Sequence, residues 1–319
     1  MKRPLLILST ILFVLFILTG AVIFRTRTQV PEGAAIRSTE ATVHAVATFY
    51  PLGEFSRQVG GDRVFVSAIV PAGVEPHEYE PTPADIASIY AADVLIANGA
   101  GMDAWATKLR PDLESKGVKV IVMSQVLGFD DGLGDTGLSD DEGIDPHFWL
   151  DPKFAQREVA SIRDAFTAVD VKNQDVYTEN TIAYTEKLDN LDRSYSEGIA
   201  MCRTKTIVTS HNAFHYLAKR YGFEALSIVG FSPESEPSTR QLADLATLAR
   251  QKNIRYIFFE TLVSPRLAQT LADEIGAEVL VFDPLEGLTD EDIAQGRDYL
   301  SVMYENLHNL QLAMDCYAQ

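Results

Sequence analysis

The sequence predicts an α/β protein with two lobes, each built on a mainly parallel sheet, joined by a long backbone helix. From residue 42 onward, β-rich runs alternate with helical patterns, which is typical of parallel α/β architecture. The segment 153–197 contains neither Gly nor Pro and separates two such sets of strands. A chain of 319 residues also exceeds one typical domain. We therefore expect an N-terminal lobe at 42–170, a linking backbone helix at 171–200 and a C-terminal lobe at 201–319.

Each half supplies four strand candidates with helical patterns between them. Strands are predicted at 42–49, 64–70, 94–97 and 118–122, and then at 206–209, 225–229, 256–259 and 278–282. Helices are predicted at 51–59 and 83–91, the second with Thr82 as N-cap and Pro83 at the first helical position. Asp151 and Pro152 open a further helix. A helix from about residue 172 to 197 would run roughly 40 Å, long enough to join the lobes and stiff enough to limit hinge opening.

The N-terminus carries an apolar run that indicates export. Leu5–Phe24 is an uncharged run of 20 residues after Lys2 and Arg3, and it spans roughly the 30 Å of a bilayer core. A membrane anchor at 1–24 is favoured over a cleaved signal, because the run is long and no small-x-small site directly follows it. Residues 25–41 then form a flexible tether. In either case the bulk of the chain is extracytoplasmic, in the periplasm or at the cell surface.

Charge and cysteine content restrict the partners. The net charge of −18 argues against binding of nucleic acid, because a phosphate backbone is bound by clustered basic residues.

The only cysteines, Cys202 and Cys316, can pair in an oxidising compartment, and two buried free thiols are the alternative. The Asp-rich segment 129–145 does not have the spacing of a calcium-binding loop and is predicted to be a disordered acidic loop.

Three histidines and an aspartate form a candidate metal site. His77, His147, His211 and Asp283 are separated by 70, 64 and 72 residues (147−77, 211−147 and 283−211). This spacing excludes a zinc finger, but the residue types make a complete tetrahedral set for a divalent transition metal. Three of the four follow predicted strands, where open α/β sheets collect their ligands. The alternative interpretation is an exposed loop histidine for His77 and a packed core histidine for His147.

Several motifs resemble the zinc and manganese substrate-binding proteins of bacterial ABC importers. They are EPHEYEPTP at 75–83, ANGAGMDAW at 97–105, DPHFWLDP at 145–152, TSHNAFHYLAKRYGF at 209–223, PESEPS at 233–238, and the segment 258–288, which ends in VFDPLEGL. The resemblance covers roughly residues 42 to 315. It implies two α/β lobes joined by a long backbone helix, with the metal held in the cleft by His77, His147, His211 and Asp283. It also implies a monomer that captures the ion outside the cytoplasm and delivers it to an ABC transporter permease.

The residue at position 211 is expected to indicate whether the protein carries zinc or manganese. Relatives similar to manganese carriers have a glutamate there, whereas zinc carriers have a histidine, as here, and imidazole-rich sites suit Zn²⁺ better than harder oxygen sites. Zinc is therefore predicted, with Mn²⁺ or another divalent metal as the alternative. Glu260 is expected to support a metal-bound imidazole without coordinating the ion. His215 is expected on the helical face of His211, as a supporting group, an alternate ligand or a histidine without a role in the site.

Two other functional classes are alternatives. A zinc-dependent hydrolase needs an open coordination position, which four protein ligands do not leave, and the chain has no H-E-x-x-H arrangement. A metal-stabilised surface adhesin is the second alternative. The chain is therefore predicted not to be an enzyme.

Overall fold

The computed structural model describes residues 42–129 and 143–316. The predicted anchor at 1–24, the tether at 25–41 and most of the acidic segment 129–145 lie outside the described residues. Within the two described ranges, no helix is both long enough and apolar enough to cross a membrane.

The first lobe is a four-stranded parallel sheet with helices between its strands. The strands are β1 (Val43–Ala47), β2 (Val64–Ala68), β3 (Val94–Ala97) and β4 (Lys119–Val122). They lie in the order β2-β1-β3-β4, and every neighbouring pair is parallel. The helices are α1 (Tyr50–Gly60), α2 (Pro83–Tyr90), α3 (Ala104–Ser115) and α4 (Met123–Leu127). The predicted cap of α2 forms, because the Thr82 hydroxyl accepts from the Asp85 backbone N–H.

Two long helices follow the first sheet. Helix α5 (Pro152–Val169) begins after Asp151, whose carboxylate accepts from the Lys153 backbone N–H. Helix α6 (Gln174–Gly198) has 25 residues and is therefore about 37 Å long. It packs against α1 and α5, and its Tyr195 hydroxyl donates to the Met303 carbonyl in the second lobe at 2.7 Å. The predicted backbone helix is thus confirmed.

The second lobe repeats the topology of the first. Its strands are β5 (Thr206–Thr209), β6 (Glu224–Ser227), β7 (Tyr256–Phe259) and β8 (Glu278–Val281), again all parallel. Their order is β6-β5-β7-β8. The helices are α7 (His215–Tyr221), α8 (Thr239–Gln251), α9 (Arg266–Ile275), α10 (Asp290–Ala294) and α11 (Tyr299–Ala313). The predicted class of two parallel α/β lobes is therefore confirmed.

This strand order places a topological switch point at the centre of each sheet. In the first sheet the chain leaves β1 towards β2 and continues from β3 towards β4 on the other side, and the same holds for β5 and β7 in the second. Crossover connections that diverge in this way leave a crevice outside the carboxyl ends of the two central strands. Side chains just after β1, β3, β5 and β7 are therefore placed to form a site.

Cys202 and Cys316 form a disulfide that closes the second lobe onto the end of α6. The two residues are 114 apart in sequence, and their backbones also form an isolated antiparallel bridge. The bond lies before β5, at the amino-terminal edge of the second sheet. Of the two alternatives that the sequence left open, the structure contains the paired form.

Replacing both cysteines with serine should lower the free energy of unfolding by about 3–5 kcal/mol, because a cross-link between residues this far apart restricts the unfolded chain. Urea unfolding of the metal-free protein measures the difference. Reduction of the wild-type protein with a thiol should produce the same loss and leave the double variant unchanged. Equal stability of the oxidised wild type and the double variant would contradict the prediction.

Candidate metal centre

Four donor atoms from both lobes converge on one point. The Nε2 atom of His147 lies 3.2 Å from that of His77 and 3.1 Å from that of His211. The Glu286 Oε1 atom lies 3.1 Å from His77 Nε2, 3.2 Å from His147 Nε2 and 3.1 Å from His211 Nε2. Ligands about 2.0–2.1 Å from a tetrahedral zinc ion are separated from each other by about 3.3 Å. The donor set and its spacing therefore fit a four-coordinate zinc ion.

The loop after β2 positions His77. Its prolines restrict the backbone of this segment, and the Glu75 carboxylate accepts from the His77 backbone N–H at 2.9 Å. The Gly73 N–H donates to the Leu288 carbonyl at 2.9 Å, which ties the loop to the second lobe. The His77 side chain remains 8% exposed, whereas those of His147 and His211 are 0% exposed. His77 is thus the ligand candidate nearest to solvent.

The segment 145–151 positions His147 through contacts with both lobes. Asn98, directly after β3, donates from Nδ2 to the Pro146 carbonyl at 3.0 Å. Asp145 accepts from His147 Nδ1 at 2.8 Å, and its own carbonyl accepts from the Tyr216 hydroxyl at 3.1 Å. Because a carboxylate can only accept, Nδ1 carries a proton, so the neutral form of the ring has its lone pair on Nε2, toward the cluster.

His211 is oriented in the same way at the switch point of the second sheet. It follows β5, and Glu260, which follows β7, accepts from its Nδ1 atom at 2.6 Å. Glu260 Oε1 also accepts from the His211 backbone N–H at 3.2 Å. The structure therefore places Glu260 behind the imidazole, with its carboxylate hydrogen-bonded to the side of the ring opposite the cluster.

The structure brings Glu286, not the predicted Asp283, into the cluster. Among the described residues, the donor atoms that lie within 4.8 Å of one another belong to His77, His147, His211 and Glu286. Asp283 directs its carboxylate elsewhere, because Oδ1 accepts from the Leu285 N–H and Oδ2 from the Thr261 hydroxyl, both at 2.8 Å. Both residues lie in the short loop after β8, so a second carboxylate three residues on was the signal in the sequence that pointed to Glu286.

The remaining histidines lie outside the cluster. His215 begins α7, and its ring packs edge-on against Tyr216 with centroids 5.7 Å apart. Within the described part of the chain, its buried Nε2 atom has no hydrogen-bond partner. His44 Nε2 lies 3.2 Å from the Ser67 hydroxyl within the first sheet, and His308 is exposed on α11.

Burial and charge shift the pKa values of the cluster in opposite directions. Burial lowers the pKa of His77. Burial would also lower the pKa values of His147 and His211, but the carboxylates around them outweigh it and raise both, that of His211 strongly. Burial would raise the pKa of Glu286, but the charge of His211 and hydrogen bonds from the imidazoles hold it well below its usual range. Without metal, His147 and His211 therefore keep their protons to a higher pH than ordinary imidazoles do.

Known proteins share both the sequence and the fold. The family model described as zinc-uptake complex component A, periplasmic, matches residues 45–313. The zinc-binding lipoprotein AdcA of Streptococcus pneumoniae is 40% identical over 286 residues, which cover 88% of this chain and 57% of that protein. The high-affinity zinc uptake system protein ZnuA of Bacillus subtilis is 37% identical over 278 residues, covering 84% of this chain and 86% of that protein. The chain thus spans little more than half the length of AdcA.

Solved structures of similar proteins point to the same family. The Zn(II)-bound ZnuA-like domain of Streptococcus pneumoniae AdcA aligns with a TM-score of 0.74 at 40% identity, covering 86% of this chain and 99% of that domain. The laminin-binding protein Lmb of Streptococcus agalactiae, described as bifunctional with adhesin and metal transporting activity, aligns with a TM-score of 0.75 at 34% identity. That alignment covers 85% of this chain and 99% of Lmb. This chain belongs to the family of the periplasmic zinc-uptake complex component A, which is named for transport and not for catalysis.

Proposed function

We propose that this protein captures Zn²⁺ between its lobes, with His77, His147, His211 and Glu286 as the four ligands. The observation that carries the proposal is the convergence of three Nε2 atoms and one carboxylate oxygen at 3.1–3.2 Å from their neighbours. Carboxylates on the far sides of two imidazoles support it, because they fix the tautomer that presents a lone pair to a metal. Asp283, the fourth ligand predicted from sequence, is replaced by Glu286 in this proposal.

Zinc is favoured over manganese as the cargo. Three imidazoles and one carboxylate form a nitrogen-rich set, which suits Zn²⁺, whereas Mn²⁺ prefers a larger share of oxygen ligands. The zinc-binding and zinc-uptake names of the relatives point the same way. With four protein ligands the ion has no open position for an activated water, so the site holds zinc and does not use it for hydrolysis.

Capture is proposed to serve delivery to an ABC transporter permease outside the cytoplasm. The match to a periplasmic uptake component supports both the location and the partner. In this proposal, residues 1–24 anchor the chain, 25–41 tether it, and a monomer binds one ion between the lobes at 42–170 and 201–319. The adhesin alternative draws support from the similarity to the laminin-binding proteins Lmb of Streptococcus agalactiae and Lbp of Streptococcus pyogenes.

Replacing His211 with alanine should weaken zinc binding by orders of magnitude, because one of four ligands is lost while the metal-free fold is retained. For the wild-type protein, zinc at about 1,000 times its dissociation constant should stabilise the fold by about 4 kcal/mol. Competition against a chelator and thermal melting measure the two effects. His308→Ala removes an exposed imidazole on α11 and is the matched control. Equal zinc affinity in the two variants would contradict the ligand assignment.

Zinc affinity should rise with pH. Zinc requires neutral imidazoles, and the pKa values of His147 and His211 lie above the ordinary value of about 6.5. Protons therefore compete with zinc even above about pH 6.5, so the affinity should still increase between about pH 6.5 and 7.5. Calorimetry in buffers of different ionisation enthalpy measures the affinity and the protons released. A flat affinity with no proton release would argue against these ligands.

Replacing Glu260 with alanine should weaken zinc binding about 10- to 100-fold, because the Nδ1–H of His211 loses its acceptor and the ring its fixed orientation. Glu278→Ala is a suitable control, since Glu278 is exposed at the opposite end of the second sheet. Chelator competition on both variants provides the comparison. An affinity for the Glu260 variant equal to that of the control would show that the carboxylate does not support the site.

A further inference from the structure

The residue before Glu286 has an unusual backbone conformation. Leu285 has a φ of 56°, in the left-handed region, and its side chain is fully buried. A branched, non-glycine residue is disfavoured there by contact between Cβ and the following carbonyl. Such a conformation persists only where surrounding contacts hold it in place. The direction in which the chain leaves Leu285 decides where the Glu286 side chain begins.

Asp283 supplies the hydrogen bond that holds this turn. Its Oδ1 atom accepts from the Leu285 N–H at 2.8 Å, and its Oδ2 atom accepts from the Thr261 hydroxyl at 2.8 Å. The Asp283 backbone is fixed as well, since its N–H donates to Asn306 Oδ1 at 2.9 Å and its carbonyl accepts from Asn306 Nδ2 at 2.7 Å. Asp283 is only 3% exposed, so these partners replace water around its carboxylate.

A contact from the first lobe holds the same turn on its other side. The Trp149 indole donates from Nε1 to the Pro284 carbonyl at 2.8 Å. The Pro284 carbonyl and the Leu285 N–H belong to one peptide bond, so Trp149 and Asp283 fix the orientation of the peptide that directly precedes the Leu285 Cα atom. Trp149 follows the ligand candidate His147 by two residues, which links the positions of two cluster members.

We propose that Asp283 is a positioning residue for Glu286. It holds Leu285 in the left-handed conformation and so directs the Glu286 carboxylate at the three imidazoles. The inference rests on the proposed zinc-binding function. It gives Asp283 a role other than the ligand predicted from sequence, because both of its carboxylate oxygens already accept from protein donors.

A positioning role and a ligand role for Asp283 predict different effects of a conservative substitution. Asp283→Asn keeps an oxygen that can accept from the Leu285 N–H, and its amide N–H₂ can donate to the Thr261 hydroxyl oxygen. A positioning role therefore tolerates asparagine, whereas a zinc ligand loses its carboxylate. Asp283→Ala removes the acceptor altogether and leaves a buried N–H without a partner, which releases the turn. Glu286→Gln provides the reference for loss of a ligand.

The experiment measures zinc affinity by chelator competition, the visible spectrum of the Co²⁺-loaded protein, and the melting temperature of the metal-free protein. The set comprises the wild type, the three variants above and His308→Ala as control. Asp283→Asn should bind zinc within about threefold of wild type and keep the cobalt bands of a tetrahedral site. Asp283→Ala should bind about 10- to 100-fold more weakly, with altered bands. A role in stability alone would lower the melting temperature and leave the bands unchanged.

Two results would overturn the proposal. Wild-type affinity and bands in Asp283→Ala would show that the turn does not need this carboxylate, and a loss in Asp283→Asn as large as in Glu286→Gln would make Asp283 a ligand. If Asp283→Ala does not fold, the comparison of Asp283→Asn with Glu286→Gln decides the question. Near-wild-type affinity and bands are then expected for Asp283→Asn, and altered bands in that variant would overturn the proposal. Absence of zinc binding by the wild type would instead refute the proposed function and this inference with it.

Discussion

The site depends on one segment, 145–151, that is bonded to both lobes at once. This segment carries His147, whose Nε2 atom lies in the cluster. The Asn98 side chain of the first lobe donates a hydrogen bond to the Pro146 carbonyl of the segment. The second lobe contacts it through Tyr216 and Pro284, and the Tyr299 hydroxyl donates to the Trp149 carbonyl at 2.7 Å. Arg220 pairs with Asp151 at its far end. Because these bonds join the lobes where they present their ligands, the spacing of the four donor atoms follows from the packing of the two lobes.

The second constraint is charge. The four donor atoms lie within 4.8 Å of one another, and their lone pairs repel unless a cation lies between them. Either a proton or a metal ion can supply that positive charge. Asp145 and Glu260 raise the pKa values of His147 and His211, and the imidazoles in turn lower the pKa of the Glu286 carboxyl group. In the proposed zinc site, binding of the ion therefore competes with binding of protons by these imidazoles.

Much of this arrangement could be predicted from the sequence, and the exceptions have physical causes. All eight strands lie within two residues of their predicted bounds, because alternation of β-rich runs and helical patterns reports local structure. The three histidines could be picked out because each stands in a distinctive motif after or before a regular element. Spacing could not decide between Asp283 and Glu286, since both lie in the loop after β8 and the backbone conformation of that loop, with Leu285 at a φ of 56°, cannot be read from residue spacing. The pairing of Cys202 with Cys316 depends on a contact across 114 residues that no local pattern records.

The four donors are not held equally, and this asymmetry follows from where they lie in the fold. His211 follows the central strand β5, and Asn98, which follows the central strand β3, holds the segment of His147. Both imidazoles are fully buried, and each has a carboxylate hydrogen-bonded to its Nδ1 atom. Glu286 is held by the turn that Asp283 and Trp149 fix. His77 lies on the loop after β2, an edge strand, and this loop contacts the opposite lobe through the hydrogen bond from Gly73 to Leu288 and through the His77 ring at Glu286. Helix α6 and the segment 145–151 hold the lobes together, and the loop of His77 contributes the ligand candidate that is most exposed to solvent.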